Sequence, residues 1–416
     1  MNNKRKVSVL YGASVVFSTA VGVGMMSLPV MSAGMWYTLS LLVILLTAIY
    51  IISAGSLLLE VNMNYPSGTG IHMMVHDIMG VKHATINDCM MIFNGFILLY
   101  AYLTVGSEAI QFYVEKLFEF ELNHIASVFL FAAFFGAIFY CPPLIISRFL
   151  SFFISLMLLS FVYIAYSLAI NVDVSHLNYP VLQTDDSQSL VPYIFIALPY
   201  FMAAMGFQQT IPMLRELYND NATRVLKSIL IGIGIVSVLY IIWLSVVFGN
   251  QSQAQMLASV SSGESKLENI VDALSRNEDI QSFIFFFIQV AIVTSFIGVA
   301  KGLLDYLKDI FVNHFKLTDN YPKIVVIAPP LILSLLFPYG FLIGIGFAGL
   351  AGAIWGGIYP ALMARKIRKR NEIAEIESEF TFGGVYTPWF TLSFSFLIVL
   401  VMILELFNFL PKFPTV

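Results

Sequence analysis

Apolar runs long enough to cross a membrane recur along the whole of this chain, and little room is left between them for anything else. A hydrocarbon core takes about 20 apolar residues of helix. On that length the sequence divides into eleven candidate spans, near 7–30, 38–59, 89–112, 125–140, 149–170, 191–213, 225–248, 283–307, 324–337, 340–363 and 389–410. The fourth and ninth are short, and the sixth is long enough only if it runs through an internal break. With 59% hydrophobic and 11% charged residues in 416, the chain has more apolar surface than a soluble fold of this size could hide. The expected fold class is an all-α polytopic membrane protein without a large soluble domain. Residues 1–6 are basic and lead into the first run as in a signal peptide. That run passes Leu28 without a small-residue cleavage site, so it is expected to be retained. Cys89 and Cys141 have neither paired nor ligand-type spacing.

Charge bias tests the span count independently. With the N-terminus inside, only Lys116, Lys266, Arg276 and Lys412 fall outside, and the other 17 of the 21 basic residues fall at cytoplasmic ends and loops. Removing one span would flip everything downstream and spoil the asymmetry. The expected topology has a cytoplasmic N-terminus and a periplasmic C-terminus. Two loops have character of their own. Outside, 264–275 places Leu267, Ile270, Val271 and Leu274 on one helical face, an amphipathic helix suited to the outer mouth. Inside, "ARKIRKRNEIAEIESE" is basic beside the membrane and acidic beyond it, as a solvated connector and topology anchor would be.

The first run carries Gly22-Val23-Gly24 and then Pro29, the poorest helix residues in the place where a freed backbone N–H is least tolerable. The break recurs five spans later, in "AAMGFQQTIPML" (203–214). Ser27-Leu28-Pro29 and Thr210-Ile211-Pro212 both set a hydroxyl two residues before a proline, with glycine upstream. Five is odd, so the second five spans would be inserted upside down relative to the first. Interrupted helices at corresponding positions of oppositely oriented halves point to an inverted-repeat transporter with its site at the breaks. The half-helix restarting near Met25 offers N–H groups and a positive dipole end to a carboxylate. Carbonyls freed at the preceding half-helix end and in the sixth span suit an ammonium. A zwitterion is the natural guest.

"GVGMMSLPVMSAG", "SLLLEVN", "GFQQTIP", "VTSFIGVAKGLLDYLKDIF" and "APPLILSLLFPYGFLIGIGFAGLAG" together make the chain resemble the hydroxy/aromatic amino acid permeases, and more narrowly their tyrosine- and tryptophan-specific members. The likeness runs from about Val7 to Ala364. It implies the leucine-transporter fold, with helices 1 and 6 unwound: a first repeat over 7–170, an inverted second repeat over 191–364, a cytoplasmic connector over 365–388 and one extra helix over 389–410. It also implies a bacterial inner membrane and ion-coupled import of an aromatic amino acid. Carried over residue by residue, the carboxylate would meet backbone N–H groups of Val23, Gly24 and Met25. The ammonium would meet carbonyls of Ala20, Ala203 and Ala204 beside Gly206. The side-chain pocket would draw on Tyr100 or Tyr102, with Asn94 below, and on Phe201, Phe207 and Gln208. In sodium-coupled members of this fold a small oxygen cage would correspond to Thr294 and Ser295 with carbonyls of Ser18, Val21 and Ala291, donors suited to a hard cation. Proton-coupled relatives tend to carry a lysine in the fifth span; the aligned position here falls near Ile154, a departure that speaks against proton coupling by that route, and the coupling ion is left as H+ or Na+. No other cofactor, no nucleic acid and no obligate protein partner is implied beyond the amino acid and the bilayer.

No acid or base stands at the centre of these spans to neutralise a charged cargo side chain. Glu60, Glu108 and Asp305 fall near span ends, where headgroup or interface roles are expected. The rival within the class is a serine/threonine-type symporter. The rival outside it is a membrane enzyme using His72, His76 and His83, but a di-metal box needs more histidines than the chain's six supply. A channel would need a ring of like charge or a repeated filter motif, and neither occurs. The glycine-rich tenth span (Gly344, Gly346, Gly349, Gly352, Gly356, Gly357) is expected to allow close helix packing.

Overall fold

Ser8 opens the first helix, its hydroxyl accepting the Leu10 N–H at 3.2 Å, and α1 (Val9–Ala20) then runs until the backbone turns extended at Val21 and Gly22. The computed structural model describes residues 7–138, 140–178, 191–261, 267–275, 277–308, 311, 318, 320–373 and 383–410. Lys4, Arg5, Lys6, Lys266, Arg276, Lys316 and Lys412 of the charge argument lie outside the described residues, as do 264–266 of the amphipathic stretch and 374–382 of the connector. All regular structure among the described residues is helical.

After the first break come a 3₁₀ turn (Val23–Met26) and α2 (Ser27–Ser32), then α3 (Trp36–Met63), a short α4 (Ile71–Met79) and the long α5 (Val81–Phe118). There follow α6 (His124–Ile138), α7 (Pro143–Ala169), α8 (Val174–Leu177) and α9 (Val191–Ala204). A second 3₁₀ turn (Gln208–Thr210) separates α9 from α10 (Ile211–Leu217). Next are α11 (Ala222–Gly249), α12 (Gln253–Ser261), α13 (Leu267–Leu274), α14 (Glu278–Lys308) and α15 (Asn320–Leu336). α16 (Phe341–Ala353) continues through a π-helical turn (Ile354–Ile358) into α17 (Tyr359–Ile373), and α18 (Tyr386–Leu406) ends the described chain. Among the described residues eight helices are long and apolar enough to cross a membrane, and nine if α1 and α2, bent by 57°, count as one. α6 and α15 are shorter apolar helices.

α1 packs along α11, α5 along α16, α7 along α14, and α9 along α16. Lipid removes the hydrophobic drive between helices, so close approach of backbones has to supply the packing. Glycine provides it where sequence led one to expect it. A Cβ at Gly349 would overlap the Pro199 carbonyl of α9, and one at Gly357 would overlap the hydroxyls of Tyr50 and Ser395.

Glu60 departs from the expectation of an interface role. The end of α3 is covered by α17, the carboxylate is 1% exposed, and Arg368 grips both oxygens at 2.6 and 2.7 Å. Burial without that fork would be prohibitive. Asp305 is exposed and pairs with Lys301 one turn away on α14.

Candidate functional site

The two breaks share one kind of side-chain bond, although the first bends the chain by 57° and the second leaves residues 192–217 as a single span. Ser27 donates its hydroxyl proton to the Gly24 carbonyl at 2.7 Å, and Thr210 donates to the Phe207 carbonyl at 2.8 Å. Each hydroxyl two residues before a proline thus bonds back three residues, onto a carbonyl that also accepts the backbone N–H of the same residue. At the first break the extended Val21 and Gly22 leave the leading N–H groups of Val23 and Gly24 without an intrahelical acceptor. The Met25 N–H is taken by the Gly22 carbonyl at 3.1 Å.

Both breaks face one cavity of about 280 Å³, near the lower end of small-ligand pockets, which run to about 300–1,000 Å³. Of the substrate residues expected from sequence, Ala20, Gly24, Tyr102, Ala203, Ala204, Gly206 and Gln208 line it. Tyr100 does not: its hydroxyl donates to the Phe337 carbonyl at 2.8 Å, on the other side of α5. Val23, Met25, Phe201 and Phe207 are fully buried in the surrounding core, Phe207 lying against Gly55 of α3. The pocket wall is completed by Met202, Ala348 and Trp355, which sequence did not single out, and by Gly352, which it had assigned to helix packing.

Two of the carbonyls that the sequence reading assigned to an ammonium, those of Ala20 and Ala204, already have a partner in the fold. Tyr240 of α11 is buried, with its hydroxyl 2.7 Å from the Ala204 carbonyl and 3.2 Å from the Ala20 carbonyl. It ties the end of α1 to the end of α9, and each carbonyl keeps a second lone pair for a ligand. A tyrosine in the middle of an apolar run was the signal available in sequence, as was a lone tryptophan among glycines for Trp355.

The cage residues come together in part. Ser18, Thr294 and Ser295 line the cavity, with Ile154 of α7 on the same wall, while Val21 and Ala291 are buried behind them. The Thr294 hydroxyl donates to the Ala291 carbonyl at 2.9 Å and the Ser18 hydroxyl to the Val15 carbonyl at 3.2 Å. Ser295 is hydrogen-bonded to Tyr102, and its Oγ occupies the space a Cβ on Gly22 would need.

The cavity continues toward one end of the bundle. A second cavity of about 620 Å³ shares Asn94, Leu98, Gln209, Gly298, Val299 and Trp355 with the first and continues to residues 68–73 beside α4. At its rim the Asp88 carboxylate holds His72 at 2.7 Å and the Tyr306 hydroxyl at 2.6 Å, so His72 is paired with a carboxylate. At the opposite end the Gln253 amide donates to the carbonyls of Ala33 and Gly34 at 2.8 and 3.3 Å. There α13 buries Ile270, Val271 and Leu274, the face read from its periodicity, and packs on α2, α5 and α14.

A helical membrane bundle with helix breaks around a small cavity is the architecture of a permease. The chain belongs to the tryptophan/tyrosine permease family, whose model matches residues 5–403. It is 32% identical over 412 residues to the tryptophan-specific transport protein of Haemophilus influenzae, covering 97% of each chain. To the tyrosine permease of Enterobacter agglomerans it is 29% identical over 425 residues, covering 99% of each. Its fold is that of a solved structure titled the inward-facing conformation of Mhp1, with a TM-score of 0.63 at 13% identity, covering 98% of this chain and 92% of that one. The chain is therefore a membrane transporter and not an enzyme.

Proposed function

We propose that this permease imports an aromatic amino acid, tyrosine first and tryptophan or phenylalanine as alternatives, by ion-coupled symport with alternating access. The observation that carries the reading is the matched pair of breaks, Ser27 on Gly24 and Thr210 on Phe207, facing a single cavity. The N–H groups of Val23 and Gly24 hold the cargo carboxylate. Its ammonium meets the second lone pairs of Ala20, Ala203 and Ala204, and Tyr102 and Gln208 border the ring. The tryptophan and tyrosine permeases among its relatives support an aromatic cargo over serine or threonine.

Counting α1 with α2, α9 with α10 and α16 with α17, and admitting α6 and α15, there are eleven spans in two inverted sets of five plus one. They lie in a bacterial inner membrane with the N-terminus cytoplasmic and the C-terminus periplasmic. On that orientation the larger cavity opens to the cytoplasm, and the molecule stands inward-facing with α12 and α13 closing the outer mouth. The coupling ion, H+ or Na+, acts at the cage of Ser18, Val21, Ala291, Thr294 and Ser295. Gly24→Leu tests the assignment, because a Cβ there stands at an ordinary 3.7 Å from Ala204 Cα while a longer side chain would fill the cargo's place. The variant should insert and fold yet bind no amino acid; normal binding would move the site elsewhere.

A further inference from the structure

Two residues that line the cavity each carry a buried hydrogen-bond donor without a partner among the described residues. Gln208 is 1% exposed, and its Oε1 accepts the Phe207 N–H at 3.0 Å. That bond, made to an N–H released by the helix break, fixes which way the amide points. Its Nε2 is left over, buried and without an acceptor among the described residues. Trp355, 5% exposed in the π-helical turn, has an Nε1–H in the same condition. The two side chains line the same small cavity, and the Gln208 amide packs on Gly356, the next residue after Trp355, whose Cβ would stand 3.7 Å from Nε2.

An unmade buried donor is costly, and a site that contains one discriminates strongly against ligands that cannot satisfy it. Both groups here are donors only, so what they want is an acceptor. A phenol oxygen has lone pairs to give. An indole N–H is a donor with none, and a phenyl ring has no polar atom.

We infer that Gln208 Nε2 and Trp355 Nε1 form a donor pair for an oxygen on the cargo ring, making this site selective for a phenol over an indole or an unsubstituted phenyl ring. The inference rests on the aromatic amino acid reading above. It makes Gln208 and Trp355 specificity determinants, and Trp355 a residue to which the cargo binds through its indole nitrogen and not only its face.

The test is competition in counterflow with the wild-type protein in liposomes, using tyrosine, 4-methylphenylalanine, phenylalanine and tryptophan. 4-Methylphenylalanine matches tyrosine in size and lacks only the acceptor. Tyrosine should compete at least about 10-fold better than the other three. Trp355→Phe, which keeps an aromatic ring and removes the N–H, should weaken tyrosine about 10-fold and leave the others within about twofold. Equal competition by tyrosine and 4-methylphenylalanine in the wild type would overturn the inference, and this comparison needs no variant. So would an equal loss for all four in Trp355→Phe, the outcome expected of a donor engaged with the carboxylate they share. Exchange of none of the four by folded wild-type protein would instead remove the aromatic-carrier reading, and the inference with it.

Discussion

The Tyr240 hydroxyl stands 2.7 Å from the Ala204 carbonyl, close enough to be its hydrogen-bond donor, and 3.2 Å from that of Ala20. One phenol on α11 therefore joins the ends of α1 and α9. Tyr240→Phe keeps the ring and removes the tie, leaving a buried carbonyl without its donor. It should cost about 1–3 kcal/mol of stability, seen as a lower unfolding temperature in detergent. Uptake should also slow, because α1 and α9 are no longer held to a common strut. An unchanged unfolding temperature and rate would show that the two helix ends are aligned by packing alone.

Gly22 and Ser295 compete for one space. An alanine at 22 would drive its Cβ into Ser295 Oγ, whereas the Ser295 Cβ is a comfortable 3.6 Å away. Gly22 has an extended backbone that alanine can adopt, so the clash is the only obstacle. Gly22→Ala alone should lower the unfolding temperature, and Gly22→Ala combined with Ser295→Ala should recover that of Ser295→Ala. Strict additivity in this double-mutant cycle would mean that the two residues are not in contact.

Thr294 and Ser295 present the hydroxyls of the proposed cation cage. Replacing both with alanine should abolish uptake driven by an ion gradient while leaving exchange of amino acid at equal ion concentrations largely intact. If gradient-driven uptake in the double variant matched the wild type, the cage would have no part in coupling.

The Glu60 and Arg368 fork is buried at the α4 end of the bundle and joins α3 to α17. Removing one partner leaves the other's charge stranded, at a cost of about 3–5 kcal/mol. Glu60→Ala and Arg368→Ala should each express poorly or unfold early, and the double variant should be less damaged than the two losses summed. Wild-type stability of either single variant, measured by thermal unfolding, would count against the fork as a structural bond.

What sequence revealed here was local. The breaks were visible because glycine, hydroxyl and proline lie within a few residues of each other, and Ser27 and Thr210 each act three residues back. Amphipathic spacing likewise marked the face that α13 buries. Tyr240 was not visible because its acceptors lie 36 and 220 residues away, and the Arg368 to Glu60 pairing spans 308. Tyr100 and Tyr102 could not both face the cavity, since residues two apart on a helix point to different sides. Nothing in the sequence said which one did. Trp355 was hidden for a related reason: its run of glycines signalled packing, which is correct for Gly349 and Gly357, and so drew attention away from the one large polar-tipped side chain among them.

The measurement that bears most directly on the account is counterflow in liposomes. Purified protein would be reconstituted with unlabelled tyrosine inside and a trace of labelled tyrosine outside, at equal proton and sodium concentrations on both sides. The account predicts a transient accumulation of label that excess external tyrosine abolishes and that Gly24→Leu protein does not support. Absence of accumulation by folded wild-type protein, or accumulation undiminished by Gly24→Leu, would contradict an aromatic amino acid site at the helix breaks.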